Sequence, residues 1–441
     1  MSRREARAVA ERLRAAGFEA WFAGGCVRDR LLGLPSGDVD IATSARPREV
    51  EALFPRTVAV GEAFGVVKVL VDGESFDVAT FRRDVGIADG RHPAAVEPSS
   101  REEDVERRDF TINGLLEDPR TGEVVDLVGG LEDLRAGIVR AIGDPARRFE
   151  EDALRLLRGV RFAARLGFAI EPRTRAAMEA CAPRLARISG ERVRDELERM
   201  LVPPTRRDAL ELLDATGLLA VVLPEVRAMH GVEQPPDFHP EGDVWIHTCL
   251  VLEALPERPS FALALGALLH DVGKPPTFRR APDRIRFDGH VELGARMADA
   301  ICRRLRTSNR DRDRVVALVR DHLIWMNVPR MRASRLRRLM AEPHFEELAA
   351  LYRADVAGCH GRLHAWPYVE AMRERLAEEA AVPPPLLSGC DVLEAGVPEG
   401  PEVGAILREA SDLQLEGELA DREAALAWLQ ARVSSGGTSG A

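Results

Sequence analysis

Gly24-Gly25-Cys26-Val27-Arg28-Asp29, followed closely by Gly37-Asp38-Val39-Asp40, is the stretch from which the rest of the 441-residue chain can be read. Ahead of it, Ala20 to Ala23 reads as a short strand. Gly24-Gly25 is then a turn, and Cys26 to about Leu32 a helix. Val39 and Ile41 alternate with Asp38 and Asp40, so on a strand the two carboxylates point to one side. Such a pair can hold two Mg²⁺ ions against a triphosphate, activating an attacking hydroxyl and neutralising departing pyrophosphate. The glycines let backbone amides approach the phosphates at a helix N-terminus, and Arg28 is placed to clamp them. Asp77 lies on a neighbouring candidate strand and is a third candidate carboxylate.

Working outward, residues 3 to 16 have the periodicity of an amphipathic helix, and Val66 to Val71 and Phe76 to Phe81 read as strands. The head is therefore a mixed α/β sheet with helices. Beyond about Ala141 strand signals fade and helical periodicity dominates, punctuated by prolines. The expected fold is an α/β head, a mixed sheet with helices, followed by a mainly α-helical remainder. Boundaries are expected at 1–140 for the head, 141–231 for a helical neck and body, 232–382 for a second catalytic domain, and 383–433 for a helical tail. The Ser/Gly-rich end, 434–441, is expected to be disordered.

Composition narrows the class. Apolar residues make up 45%, without the roughly 18 uninterrupted apolar residues of a membrane span or the apolar region of a signal peptide, so a cytoplasmic protein is expected. Six scattered cysteines without CxxC pairs argue against a disulfide framework or a cysteine zinc site. The net charge of −10 opposes nucleic-acid binding. Cationic charge is nevertheless carried by Arg, with only Lys68 and Lys274 as lysines, and arginines crowd Arg140 to Arg207, which suits bidentate contacts to phosphates and bases.

The head resembles the class II nucleotidyltransferases, the family of bacterial CCA-adding enzymes and poly(A) polymerases, from about Phe18 to Phe168. After the Gly-Gly and DxD segments, Phe76-Asp77-Val78-Ala79-Thr80-Phe81-Arg82 is similar to that family's next strand, and Asp89-Gly90-Arg91-His92-Pro93 to its flexible loop. Arg107-Arg108-Asp109-Phe110-Thr111-Ile112-Asn113 resembles the ribose-recognition motif. The resemblance implies that Arg108 contacts triphosphate or ribose, that Asp109 binds a ribose hydroxyl, and that Asn113 supports that geometry. Glu151-Asp152-Ala153-Leu154-Arg155 resembles the base-reading motif. On one helix, Asp152 and Arg155 would share a face and offer acceptors and donors to a base edge, with Arg158 and Arg161 continuing the spacing. An intrahelical salt bridge is the structural alternative.

A second constellation comprises His247, His270-Asp271, His290, His322 and Asp355, with His270-Asp271 closing an apolar helical run. Imidazole and carboxylate together suit a divalent transition ion such as Mn²⁺, Ni²⁺ or Fe²⁺. Residues from about Val232 to Arg362 resemble the HD phosphohydrolase superfamily, clearest at Ala267-Leu268-Leu269-His270-Asp271-Val272-Gly273-Lys274. The resemblance implies His247, His270, Asp271 and Asp355 as core ligands, with His290 and His322 as candidates for a second metal, and hydrolysis of cyclic phosphates or phosphomonoesters. Leu387-Ser388-Gly389-Cys390-Asp391 and the segments after it resemble the C-terminal helices of CCA-adding enzymes.

The expected activity is addition of CCA to the 3′ end of tRNA from CTP and ATP, with phosphohydrolase chemistry at the HD site. The alternatives are an A-adding enzyme, a poly(A) polymerase, and an HD hydrolase with a regulatory nucleotide-binding head.

Overall fold

The computed structural model describes residues 2–35, 37–59, 65–87, 93–236, 239–359, 361–378 and 384–436. The chain forms two compact units. One runs to His230 and includes Glu257–Phe261 and Ala300–Asn309, and the other comprises Gly231–Pro256, Ala262–Asp299 and the chain from Arg310 onward.

The first unit opens with α1 (Arg3–Ala15), β1 (Ala20–Ala23), α2 (Gly25–Leu31), β2 (Asp40–Thr43), α3 (Pro47–Leu53), β3 (Thr57–Ala59), β4 (Val66–Val71) and β5 (Glu74–Thr80). A hairpin of β6 (Arg82–Ile87) and β7 (Pro93–Pro98) follows, then α4 (Arg101–Glu106), β8 (Leu116–Glu117), β9 (Val124–Val125) and α5 (Gly130–Ala136). The main sheet has the order β3-β4-β5-β2-β1-β8-β9, with β2 and β5 parallel and Ile41 opposite Val78. Period-two alternation buries Phe76, Val78 and Thr80 of β5 and leaves Asp77 and Ala79 on the other face. Among the described residues the helical half of this unit contains α6 (Pro145–Glu151), α7 (Leu154–Leu166), α8 (Pro172–Cys181), α9 (Gly190–Leu201) and α10 (Arg206–Ala215). The head is thus a mixed sheet with helices, and the chain beyond it is mainly helical.

The second unit is built on α11 (Val244–Ala254), α12 (Phe261–Leu269), α13 (His290–Arg304), α14 (Asn309–Asp321), a 3₁₀ segment (His322–Arg330), α15 (Ala333–Ala341) and α16 (Phe345–Ala357). Every residue of α12 from Ala262 to Leu269 is buried, as expected of a helix apolar all round. Gly266 permits that burial: a Cβ there would lie 2.8 Å from the Leu318 side chain of α14. α17 (Trp366–Glu378), α18 (Gly389–Glu394), α19 (Pro401–Glu416) and α20 (Arg422–Gly436) complete the chain. The last three share a core around Val392, Ile406, Ala425 and Leu429. The expectation of disorder from 434 is corrected for its first residues, since α20 continues to Gly436 and the Ser434 hydroxyl donates to the Gln430 carbonyl at 2.8 Å. Residues 437–441 lie outside the described residues.

Among the described residues no helix is long and apolar enough to cross a membrane. Among the described residues none of the six cysteines forms a disulfide.

Candidate functional sites

In the first unit a cleft of about 1460 Å³ is lined by Gly24, Gly25, Asp38, Asp40 and Asp77 and by arginines of α6, α7 and α9. Asp40 opens β2, whereas Asp38 stands in the coil before it rather than on the strand. Alternation nevertheless holds: Val39 and Ile41 are buried while Asp38 and Asp40 are exposed. Asp77 is brought beside Asp40 by the β2–β5 register, and the Lys68 ammonium sits 2.9 Å from its carboxylate. Desolvation in the cleft, reinforced by the charges of Asp77 and Asp38, raises the Asp40 carboxyl above its ordinary value. Carboxylates gathered at such a cost fit a divalent cation, which would relieve their repulsion.

Gly24, with φ of 74°, turns the chain from β1 into α2 in a region that disfavours side chains, and a Cβ there would meet the Arg108 guanidinium at 3.1 Å. Arg28 is not an open clamp. It is 2% exposed, donating to Asp29 at 2.8 Å and to the Asn113 side-chain oxygen at 2.5 Å. Asn113 in turn donates to Asp109 at 3.1 Å, and Asp109 forms an ion pair with Arg158 at 2.7 Å. Burial opposes ionisation of Asp109, but the Arg158 charge and the Asn113 hydrogen bond prevail and bring its pKa to about 2. Arg108 donates to Asp104 at 3.1 Å and to the Asn113 carbonyl at 3.3 Å. These motif residues therefore form one connected network.

Residues 151–155, expected to read the base, differ from the single helix expected of them. α6 stops at Glu151, Asp152 adopts an extended conformation (φ −150°, ψ 106°), and α7 starts at Leu154. Asp152 and Arg155 consequently do not pair. The Asp152 carboxylate accepts from the Leu154 amide at 3.0 Å and from Arg192 of α9 at 2.8 Å. Arg155 is held by Glu151 at 2.8 Å and by the Arg148 and Arg107 carbonyls, each at 2.9 Å. Arg161 pairs with the buried Glu196 at 2.7 Å. Sequence reasoning missed Arg192 and Glu196, because α9 is brought to α7 only by tertiary packing. Asp89 to His92 of the flexible-loop motif lie outside the described residues.

The second site lies wholly within the second unit. His247 of α11 places Nε2 3.0 Å from Asp355 of α16 and 3.3 Å from Nε2 of His270, which follows α12. Asp271 stands between two groups, with Oδ2 3.2 Å from His270 Nε2 and Oδ1 3.7 and 3.9 Å from the Nε2 atoms of His322 and His290. His247, His270 and Asp355 thus form one cluster, and Asp271, His290 and His322 another. All six predicted residues converge here. Each imidazole has its Nδ1 engaged, on Glu241 (His247) or on the carbonyls of Ala267 (His270), Phe287 (His290) and Val319 (His322), at 2.7–2.8 Å. That pattern turns every Nε2 inward as a potential ligand.

Burial opposes protonation of His247, but the hydrogen bonds it donates to the Asp355 and Glu241 carboxylates raise its pKa to about 9. Burial lowers His322 to about 4. The buried His290 Nε2 has no hydrogen-bond partner among the described residues. Facing imidazole nitrogens and a buried unpartnered one fit a bound divalent ion. Glu241, Gln234 and Lys274 were not predicted. Lys274 reaches Asp271 and Gln234, each at 2.7 Å.

Comparison with known proteins matches residues 20–140 to the Poly A polymerase head domain, 167–229 to the probable RNA and SrmB-binding site of polymerase A, and 244–357 to the HD domain. The CCA-adding enzyme of Streptococcus gordonii is 48% identical over 224 residues, 51% of this chain and 56% of that one. That of Geobacillus stearothermophilus is 47% identical over 217 residues, 49% and 54% of the two chains. The chain thus spans about half the length of these curated relatives. A solved tRNA-bound CCA-adding enzyme of Thermotoga maritima shares the fold, with a TM-score of 0.59 at 20% identity over 97% of this chain and 94% of that one. The Bacillus stearothermophilus CCA-adding enzyme solved with CTP superposes with a TM-score of 0.75 at 30% identity over 98% of both chains. On this whole-chain likeness, the protein belongs to the family of CCA-adding nucleotidyltransferases and carries an HD domain.

Proposed function

We propose that the chain adds C, C and A from CTP and ATP to the 3′ end of tRNA, and that its HD site hydrolyses phosphoesters at RNA ends or on nucleotides. The observation carrying the first reading is the single cleft lined by Asp38, Asp40 and Asp77 together with Asp152 and the arginines of α7 and α9. In the reaction the terminal tRNA hydroxyl oxygen forms a bond to the α-phosphorus, and the bond from that phosphorus to pyrophosphate breaks. Asp38 and Asp40, with Asp77 beside them, would hold two Mg²⁺ ions, which lower the pKa of the attacking hydroxyl and offset charge on the leaving group. Gly24 keeps the backbone open for the triphosphate beside Arg108, and Asp109 is presented near the ribose. Asp152 offers acceptors only, which suits the exocyclic amino groups shared by cytosine and adenine and rejects the carbonyls that uracil and guanine carry there.

The test uses three RNAs with CTP, ATP and Mg²⁺: tRNA lacking CCA, tRNA ending in CC, and an unstructured RNA. The reading expects C, C and A on the first, A on the second, and nothing on the third. A long adenylate tail on the unstructured RNA would establish a poly(A) polymerase, and addition of A to the CC-ending tRNA alone an A-adding specialist.

For the second activity, His247, His270, Asp271 and Asp355 would hold one transition-metal ion, and Asp271, His290 and His322 a second. Bound there, such ions polarise a phosphoester and generate a nucleophile from water at neutral pH. The protein's own part is orientation: Glu241 fixes the His247 ring and Lys274 steadies Asp271. Hydrolysis of 2′,3′-cyclic AMP with Mn²⁺, Ni²⁺ or Fe²⁺, absent after chelation, is the expected outcome.

A further inference from the structure

Beside the HD centre is a cavity of about 470 Å³, within the roughly 300–1,000 Å³ range of small-molecule sites. Its walls are the start of α13, the 3₁₀ segment and α15, and one lining residue, His290, is also part of the metal-ligating cluster. The cavity therefore borders the metal-ligating cluster through His290. Phe287, Leu323 and Ile324 give it an apolar side, with Leu323 36% exposed. Its polar groups are unequal in freedom. Arg320 is engaged with both Asp321 oxygens at 3.0 and 2.8 Å. Arg335 and Asn327, both exposed, have no hydrogen-bond or ion-pair partner among the described residues.

We propose that this cavity is the nucleoside subsite of the HD centre, with the base against Leu323, Ile324 and Phe287, and Arg335 receiving a ribose oxygen of the same substrate. The inference rests on the hydrolase reading above and sharpens it. The substrate is a nucleotide-sized phosphoester, supplied either as a free nucleotide or as the terminal nucleotide of an RNA. An apolar wall, an uncommitted guanidinium and a free carboxamide suit a nucleoside, and inorganic esters would leave most of the volume empty.

The test compares p-nitrophenyl phosphate, 2′,3′-cyclic AMP and a short RNA ending in a 2′,3′-cyclic phosphate, using the full chain loaded with Mn²⁺ or Ni²⁺. Arg335→Ala should raise KM for the two nucleotide substrates about tenfold while kcat stays within about twofold, the pattern of a lost binding contact. It should leave p-nitrophenyl phosphate hydrolysis and bound metal unchanged. Inhibition of that hydrolysis by adenosine 2′-monophosphate should weaken by a similar factor. Ile324→Trp, which fills the cavity from a half-buried position, should act in the same direction. If the RNA loses more than cyclic AMP, the source is an RNA end, and if only cyclic AMP is hydrolysed by the wild type, it is a free nucleotide. Equal losses on all three substrates, or none on any, would overturn the subsite while leaving the hydrolase reading standing. Absence of any hydrolysis by the wild type would overturn both.

Discussion

Asp152→Asn separates base recognition from stability more cleanly than any other change in the cleft. Asn still caps a helix, so the hydrogen bond to the Leu154 amide survives, and only the ion pair with Arg192 is weakened. The two side chains of that pair are 22% and 24% exposed, so solvent screening holds its contribution to about 1 kcal/mol or less. For a unit of this size that is a drop in Tm of about 2–4 °C. Recognition changes more. A carboxylate presents acceptors alone, whereas a carboxamide presents one acceptor and one donor, and the donor matches the carbonyl of uracil. A well-placed base contact discriminates by about 1–3 kcal/mol, so the CTP-over-UTP ratio of kcat/KM on tRNA lacking CCA should fall by about 5- to 150-fold. The assay is single-nucleotide extension with each triphosphate in turn, run beside thermal denaturation. An unchanged ratio, with Tm lowered as expected, would refute the reasoning and leave Asp152 as a helix cap.

Four other changes have defined outcomes. Asp40→Ala or Asp38→Ala should abolish nucleotide incorporation and leave HD hydrolysis intact, and normal incorporation by either variant would remove the carboxylates from the mechanism. His270→Ala or Asp271→Ala should eliminate metal-dependent hydrolysis without blocking CCA addition, whereas equal loss of both activities would mark the HD residues as structural. Because His247 in the metal-free protein has a pKa raised to about 9 from an unfolded value near 6.5, its stabilisation is complete below the lower value and lost as pH rises to the upper. Metal must displace that proton, so Mn²⁺ or Ni²⁺ affinity should rise about tenfold per pH unit across this window and level off above it, which calorimetric titration at several pH values checks. Gly273→Ala should displace His290, since a Cβ would lie 2.0 Å from the His290 carbonyl, and lower metal stoichiometry measured by elemental analysis.

The sequence by itself determined the head and which side chains gather as candidate metal ligands. The apolar alternation of Val39 and Ile41 places Asp38 and Asp40 together whether or not a strand has begun, because side-chain direction follows extended backbone rather than sheet pairing. Likewise the wholly apolar Ala262–Leu269 makes a buried helix, and His270-Asp271 at its end must find partners. Helical spacing misled at Asp152, where a local cap interrupts the helix that a period of 3.6 would continue. Only the tertiary structure decided which charge meets which. Arg28 became a buried brace, Arg158 went to Asp109, Asp152 to Arg192, and Glu241 to the back of His247. Arg28 and Asn113 are 85 residues apart, and the other three pairs are 49, 40 and 6 residues apart. A charged side chain at the surface of one helix has no preference in sequence for its mate, and the choice is made by whichever opposite charge packing brings within about 3 Å after water is excluded.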